Sequence, residues 1–135
     1  MKHPRPFLLA LLLGFLPACA TPEPPPVTQQ DLTKIDYGSP PQDYEQVVKD
    51  YFTKTLREPE STQFRFGLPF KGYLQHGALL GGQVAEAGYF VEVWLKLKSP
   101  TGEYLPERRL AVLIKNGEVL IRLREAEING IKRSP

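Results

Sequence analysis

The sequence predicts an α+β domain in which one N-terminal amphipathic helix packs on a meandering antiparallel sheet of about four to five strands. Three observations predict it. Apolar residues recur with helical spacing over residues 44–56, they alternate with period two over residues 89–98, and Asn116-Gly117 separates two further alternating runs. Helical signals first and strand signals afterwards, with no helix between strands, describe a two-layer sandwich and not a parallel βαβ fold.

The chain opens on a leader pattern. Residues 1–6 carry Lys2 and Arg5, residues 7–16 are almost wholly apolar, and small residues follow, which is the layout of a secretory signal. The apolar run is too short to span a bilayer, which takes roughly 20 residues. Residues 1–18 are therefore read as a signal peptide. Residues 19–42 form a lipidated N-terminus and a Pro-rich tether, and residues 43–135 form the small folded domain. The tether is rich in Pro, Thr and Gln, and in an extended polyproline-like state at about 3.1 Å per residue it reaches up to ~70 Å. Leu32 and Ile35 are its candidates for docking on the domain.

Asp43 is placed to cap a helix, with Gln46 at the capping-box position. Tyr44, Val47, Val48, Tyr51, Phe52 and Leu56 share one face, and Glu45 with Lys49 and Asp50 with Lys54 are spaced for ion pairs on the other. Pro59 ends the helix near Arg57. Thr62, Phe64 and Phe66 then alternate with polar neighbours as a first strand, and residues 70–75 form a possible second. Residues 76–88, with four glycines, read as a loop or a loosely paired strand.

Residues 89–98 are the clearest strand. Tyr89, Val91, Val93, Leu95 and Leu97 form one face, and Phe90, Glu92, Trp94, Lys96 and Lys98 the other. Residues 108–115 and 118–124 flank Asn116-Gly117, a hairpin signal because both turn positions tolerate positive φ. An unbroken register pairs Lys115 with Glu118, Ile114 with Val119, Val112 with Ile121 and Leu110 with Leu123, so that these apolar pairs face the helix. Residues 125–135 are left as a tail or short strand that frays.

Charge narrows the range of partners. The chain holds 17 Lys and Arg against 15 Asp and Glu, and loss of Lys2 and Arg5 with the leader leaves the two sets equal. A balanced domain has no global electrostatic pull toward nucleic acid. Cys19 is the single cysteine and His76 the single histidine outside the leader, so neither a disulfide nor a Cys/His metal site is expected and no cofactor is called for. His76 lacks an evident nucleophile or carboxylate partner, with Ser61 the hydroxyl such chemistry needs beside it. Glu58 and Glu60 flank a helix-stopping Pro, and Gly81-Gly82 lacks the Lys and Ser/Thr of a phosphate loop. The expectation is a non-enzymatic protein.

Leu16-Pro17-Ala18-Cys19 resembles the lipobox of bacterial lipoproteins, in which the Cys becomes the first mature residue and carries acyl chains. Ala18-Cys19-Ala20 also fits the small-x-small pattern of ordinary signal cleavage, which yields a freely soluble periplasmic or secreted protein. The residues Arg57-Glu58-Pro59-Glu60-Ser61, then Phe64-Arg65-Phe66, Lys71-Gly72-Tyr73, Gly81-Gly82, Gly88-Tyr89 and Ile114-Lys115-Asn116-Gly117 resemble a group of small bacterial envelope lipoproteins. Their Gly-Tyr-rich segment after the central strand is replaced here by residues 97–104. The resemblance implies a membrane attachment through lipid on Cys19 and brings no activity with it. Ala20 is not the Asp that resembles an inner-membrane retention signal, so the outer membrane, facing the periplasm, is the expected site.

The expected function is a lipid-anchored structural or interaction module meeting an envelope protein or a cell-wall partner. Its candidate interaction face comprises Phe90, Trp94, Lys96, Arg109, Leu113, Leu120, Arg122 and Arg124, because exposed aromatics beside arginines are the composition of binding surfaces. Coverage of that face by residues 76–88 or by the last segment is the competing expectation. The alternative function is a small binding protein for a lipid or glycan, or an inhibitor of a wall-degrading enzyme, with its pocket between helix and sheet near the Gly-rich loop.

Overall fold

The computed structural model describes residues 20–135. The leader and Cys19 lie outside the described residues. The fold is α+β: short N-terminal helices on a six-strand antiparallel meandering sheet. The helices are α1 (Gln29–Lys34), α2 (Tyr44–Thr55) and α3 (Glu125–Ile128). The strands are β1 (Gln63–Phe66), β2 (Phe70–Gln75), β3 (Val84–Lys96), β4 (Arg108–Lys115), β5 (Glu118–Arg124) and β6 (Lys132–Arg133).

The 13 residues of β3 are the spine. β4 lies along one side of it, while β2 and β1 share the other, β2 against the first half and β1 against the second. The order across the sheet is β5-β4-β3-β2-β6. The Gly-rich segment is better ordered than its composition suggests. Residues 78–80 make one tight helical turn, and β3 begins five residues earlier than alternation alone indicates, paired with β2 from Val84 onward.

The α2 stripe behaves as its spacing requires. Val48 and Phe52 are buried against Val91, Val93, Leu95, Val112 and Ile114, with Phe64 and Phe66 closing the edge. Burial of each such side chain stabilises the fold by about 1.5–3 kcal/mol. The cap differs from expectation. The Asp43 side chain makes no capping bond, and Gln46 donates instead to Asp50 at 2.7 Å, a partner one turn away on the same face. Among the described residues the Glu45–Lys49 and Asp50–Lys54 spacings form no ion pair, and Lys49 lies over the Phe66 ring.

The β4–β5 turn is the expected hairpin, with Asn116 at φ 51° and Gly117 at φ 80°. Its register departs after two pairs. Lys115 pairs with Glu118 and Ile114 with Val119, but Leu113 then pairs with Ile121, Val112 with Arg122 and Leu110 with Arg124. Leu120 is an extra residue in a β-bulge, and each side chain after it faces the opposite way. Ile121 and Leu123 thus turn away from α2 and join a second apolar cluster with Phe90, Ala111 and Leu113.

That second cluster explains the C-terminal segment. Residues 125–135 do not hang free: α3 buries Ile128 on the cluster, Ile131 packs beside it, and β6 pairs with β2. Gly72 and Gly88, opposite each other in the β2–β3 ladder, make this possible. A Cβ on Gly72 would lie 2.9 Å from both the Lys132 carbonyl and Phe90, and one on Gly88 would lie 2.7 Å from Leu113.

The Pro-rich segment is also docked. Gln75 Nε2 donates to the Pro25 carbonyl at 2.6 Å, Tyr37 donates to Ser134 at 2.8 Å, and the Ser39 amide donates to Asn116 at 3.3 Å. Asp36 lies 3.5 Å from the Lys115 ammonium. The amide of Gly38 and then the charge of Lys115 hold the Asp36 carboxyl below its ordinary range. The contacts run over residues 25–39, with α1 between their two ends. The free reach expected of residues 19–42 therefore shrinks to the few residues before Pro24.

Candidate interaction surface

Trp94 sits where three strands cross. β1 brings Arg65 and β4 brings Arg109 directly opposite it in the ladder, so the three side chains form one row on the sheet face away from α2. The Arg65 guanidinium lies 4.1 Å from the indole centroid and that of Arg109 lies 5.8 Å away, both within cation–π range. Each arginine is also held by a carboxylate. Arg109 donates to Glu92 Oε2 from Nη2 at 2.7 Å and from Nε at 3.1 Å, and Arg65 donates to Glu107 at 2.8 Å. Gly67 continues the β1 lane by donating its amide to the Glu92 carbonyl at 2.8 Å.

This row can present a flat apolar ring with its rotamer fixed by neighbours that are themselves charge-neutralised. Such preorganisation reduces the ordering cost of association. The Arg65–Glu107 pair is about half exposed and contributes little to stability, on the order of 1 kcal/mol or less, whereas Arg109–Glu92 is partly buried. Lys96 stands exposed at the end of the same face, two residues along β3.

The eight residues expected on one face are divided by the structure. Trp94, Lys96 and Arg109 share the uncovered end of it. Phe90 and Leu113 are fully buried beneath α3 and Ile131, which corrects their assignment to an interaction face. Arg122 and Arg124 are turned to the α2 side by the Leu120 bulge, and Leu120 itself is half exposed on the edge strand. Arg65 was missed by residue choice, although its place in the alternation of residues 62–66 puts it opposite Phe64 and Phe66.

The displaced arginines border a second feature. Beyond the end of α2 a cleft of about 440 Å³ opens between helix and sheet, floored by Leu56, Leu97 and Leu110 and bordered by Arg108, Arg122 and Arg124 together with Glu107 and Glu125. Arg124 is bound to Glu127, whose carboxyl that side-chain bond and the Arg124 amide hold below its ordinary range; the same bond raises Arg124. Among the described residues Arg108 and Arg122 form no ion pair. This cleft lies at the opposite end of the sheet from the Gly-rich turn, where the expectation had placed a pocket. The depression at that turn, about 490 Å³, is walled by the docked residues Pro25, Pro26 and Ile35.

His76 follows the last residue of β2, whereas Ser61 precedes β1, so the length of β3 separates the only histidine of the described residues from that hydroxyl. Ser61 donates to the Glu58 carbonyl and serves its own turn. Among the described residues no grouping of three or more His, Cys, Asp or Glu side chains could hold a metal ion. Fold and surface together define a small two-faced α+β sheet domain with an arginine-flanked tryptophan. Compared with protein-family models, curated proteins and solved structures, the chain matches none.

Proposed function

We propose that the chain is a lipid-anchored, non-enzymatic interaction module of the bacterial envelope, tethered through acylated Cys19 on the periplasmic side of the outer membrane, with the Trp94 row as its partner surface. The observation that carries the reading is the row itself: an indole clamped by Arg65 and Arg109 on the face away from α2, at the end of that face which the C-terminal segment leaves uncovered. Trp and Arg are the residue types that dominate binding energy at interfaces. The lipobox-like Leu16-Pro17-Ala18-Cys19 and the likeness to small envelope lipoproteins supply the location.

A photoreactive amino acid at Lys96, beside the row, is expected to trap an envelope protein or peptidoglycan fragment in intact cells. Arg65→Glu with Trp94→Ala is expected to remove the adduct. An adduct insensitive to those changes refutes the row as the partner surface. Cys19→Ala is expected to release the protein from the membrane fraction, and retention there refutes the anchor.

The cleft beyond α2 favours a second reading, a binder of an anionic amphiphile. Its leucine floor suits an acyl or ring group, and Arg108 and Arg122 suit the acidic head. Native mass spectrometry of the purified protein is expected to show a bound lipid or glycan that Arg108→Glu with Arg122→Glu removes.

A further inference from the structure

The turn between β2 and β3 holds two leucines out of the molecule. Leu79 is 95% exposed and Leu80 is 67% exposed. The turn is nonetheless rigidly bonded within itself: the Leu80 amide donates to the Gly77 carbonyl at 2.9 Å, Gly81 to Ala78 at 3.0 Å, and His76 to Gln83 at 2.8 Å. Gly81, at φ 82°, makes the reversal that lets the chain return to β3. A lone exposed leucine is ordinary. Two adjacent ones at the tip of a hairpin whose reversal is held by its own hydrogen bonds form an apolar tip that suits the polar–apolar boundary of a membrane, where the remaining backbone groups of the tip still meet water and headgroups.

A second, independent observation brings the turn to such a boundary. The segment arriving from the N-terminus docks on this same turn: Pro24 and Pro25 lie against Gly82, and Gln75 donates to the carbonyls of both Pro25 and Gly82 at 2.6 Å. Pro24 is the fifth residue after Cys19, a chain length of at most about 18 Å when fully extended. Acyl chains on Cys19 would therefore hold the turn within that distance of the leaflet.

We propose that Leu79 and Leu80 form a second membrane contact, inserted into the same leaflet that takes the lipid on Cys19. The contact rests on the reading of Cys19 as the anchor. Two leucines bind a membrane weakly from solution, but an anchor a few residues away makes their insertion an intramolecular event at high effective concentration. The docked prolines and the inserted turn together set the orientation of the domain. β3 then leads away from the leaflet, and Trp94, ten residues beyond Val84, stands roughly 30 Å from that end of the strand.

The test uses the full-length protein purified from bacterial membranes and reconstituted into vesicles of phosphatidylethanolamine and phosphatidylglycerol. With Cys19 acylated, Gly77→Cys introduces a unique thiol for a polarity-sensitive fluorophore, and Thr101→Cys does the same at the opposite end of the sheet. Spin-labelled lipid is expected to quench the label at position 77 at least three-fold more than at position 101. Adding Leu79→Ser and Leu80→Ser is expected to bring the two to the same level; both leucines are exposed, so the fold is kept. Equal quenching at 77 and 101, or quenching indifferent to the serines, in protein whose mass shows acylated Cys19 overturns the contact and leaves the anchor standing. A mass showing unmodified Cys19 overturns both.

Discussion

Two glycine-to-alanine substitutions are expected to have opposite signs. At Gly88 an added Cβ would lie 2.7 Å from Leu113 Cδ1 and 2.8 Å from the Ile114 carbonyl oxygen. Leu113 is fully buried and cannot swing away, and the carbonyl belongs to β4, so relief requires a shift of the β3–β4 ladder. Overpacking of this kind costs about 1–3 kcal/mol. At Gly77 nothing lies within 4 Å of the added atom and φ is −61°, which alanine adopts freely. There the loss of unfolded-state freedom is expected to stabilise by about 0.4–1 kcal/mol. The two variants should thus differ by roughly 1.5–4 kcal/mol, and for a domain of this size each kcal/mol moves Tm by about 4–8 °C. Urea unfolding followed by the emission of Trp94, the single tryptophan, measures both against wild type. A Gly88→Ala protein as stable as wild type refutes the close approach of β3 to β4.

Four further outcomes follow from the same geometry. Phe52→Ala, which empties the centre of the α2 cluster, is expected to cost about 3–5 kcal/mol by the same urea assay. Deletion of Leu120 removes the bulged residue while keeping Leu113 opposite Ile121, so it is expected to change stability by less than about 1 kcal/mol, whereas Ile121→Asp is expected to destabilise severely. Gly82→Ala, with φ at 65° and Pro25 Cδ only 2.7 Å from the added Cβ, is expected to expel residues 24–27, seen as new protease cleavage there with the sheet intact. Because the folded-state Glu127 carboxyl lies below its unfolded value, its support for α3 is complete above the ordinary carboxylate pKa and is lost as pH falls through the depressed value; the protection of the Ile128 amide, the intrinsic exchange rate at each pH over the observed one, should fall on acidification, and Glu127→Gln should abolish that dependence.

Local signals were legible wherever one period or one turn decided the outcome. The α2 stripe, β1, β2 and both hairpin strands follow from spacing, and Asn116-Gly117 fixes the tightest turn by its two positive φ values. The register past Leu120 was not legible, because a bulge leaves the composition of a strand unchanged while reversing its faces. The tail was misread for a related reason. Ile128 and Ile131 have no periodic neighbours, and their worth depends on Phe90 and Leu113 offering an apolar face that only the bulge completes with Ile121 and Leu123. For the candidate surface, Trp94, Lys96 and Arg109 were found by alternation within β3 and β4. The sorting of Phe90 and Leu113 into a core, and of Arg122 and Arg124 onto the other face, is a tertiary decision.

The position of the uncovered surface follows from a mismatch of lengths. β3 extends over about 40 Å at the usual rise, whereas the 12 residues of α2 cover about 18 Å of one face. On the other face, α3 and the residues after it reach Phe90 and Leu113 but stop short of Trp94. The C-terminal cover therefore leaves the Trp94 end of its own face bare, the end farthest from the docked prolines, while on the reverse face α2 buries Val93 and Leu95 and stops at the half-buried Leu97. An apolar strand end left bare invites edge pairing and aggregation, and here it carries charge instead: Arg65, Arg109 and Lys96 around Trp94 on one face, Arg108 and Arg122 around Leu97 and Leu110 on the other. Ion pairs with Glu92 and Glu107 keep the first group compact. A strand longer than its covers thus concentrates aromatic and arginine side chains at one pole of the domain while residues 24–27 approach the other.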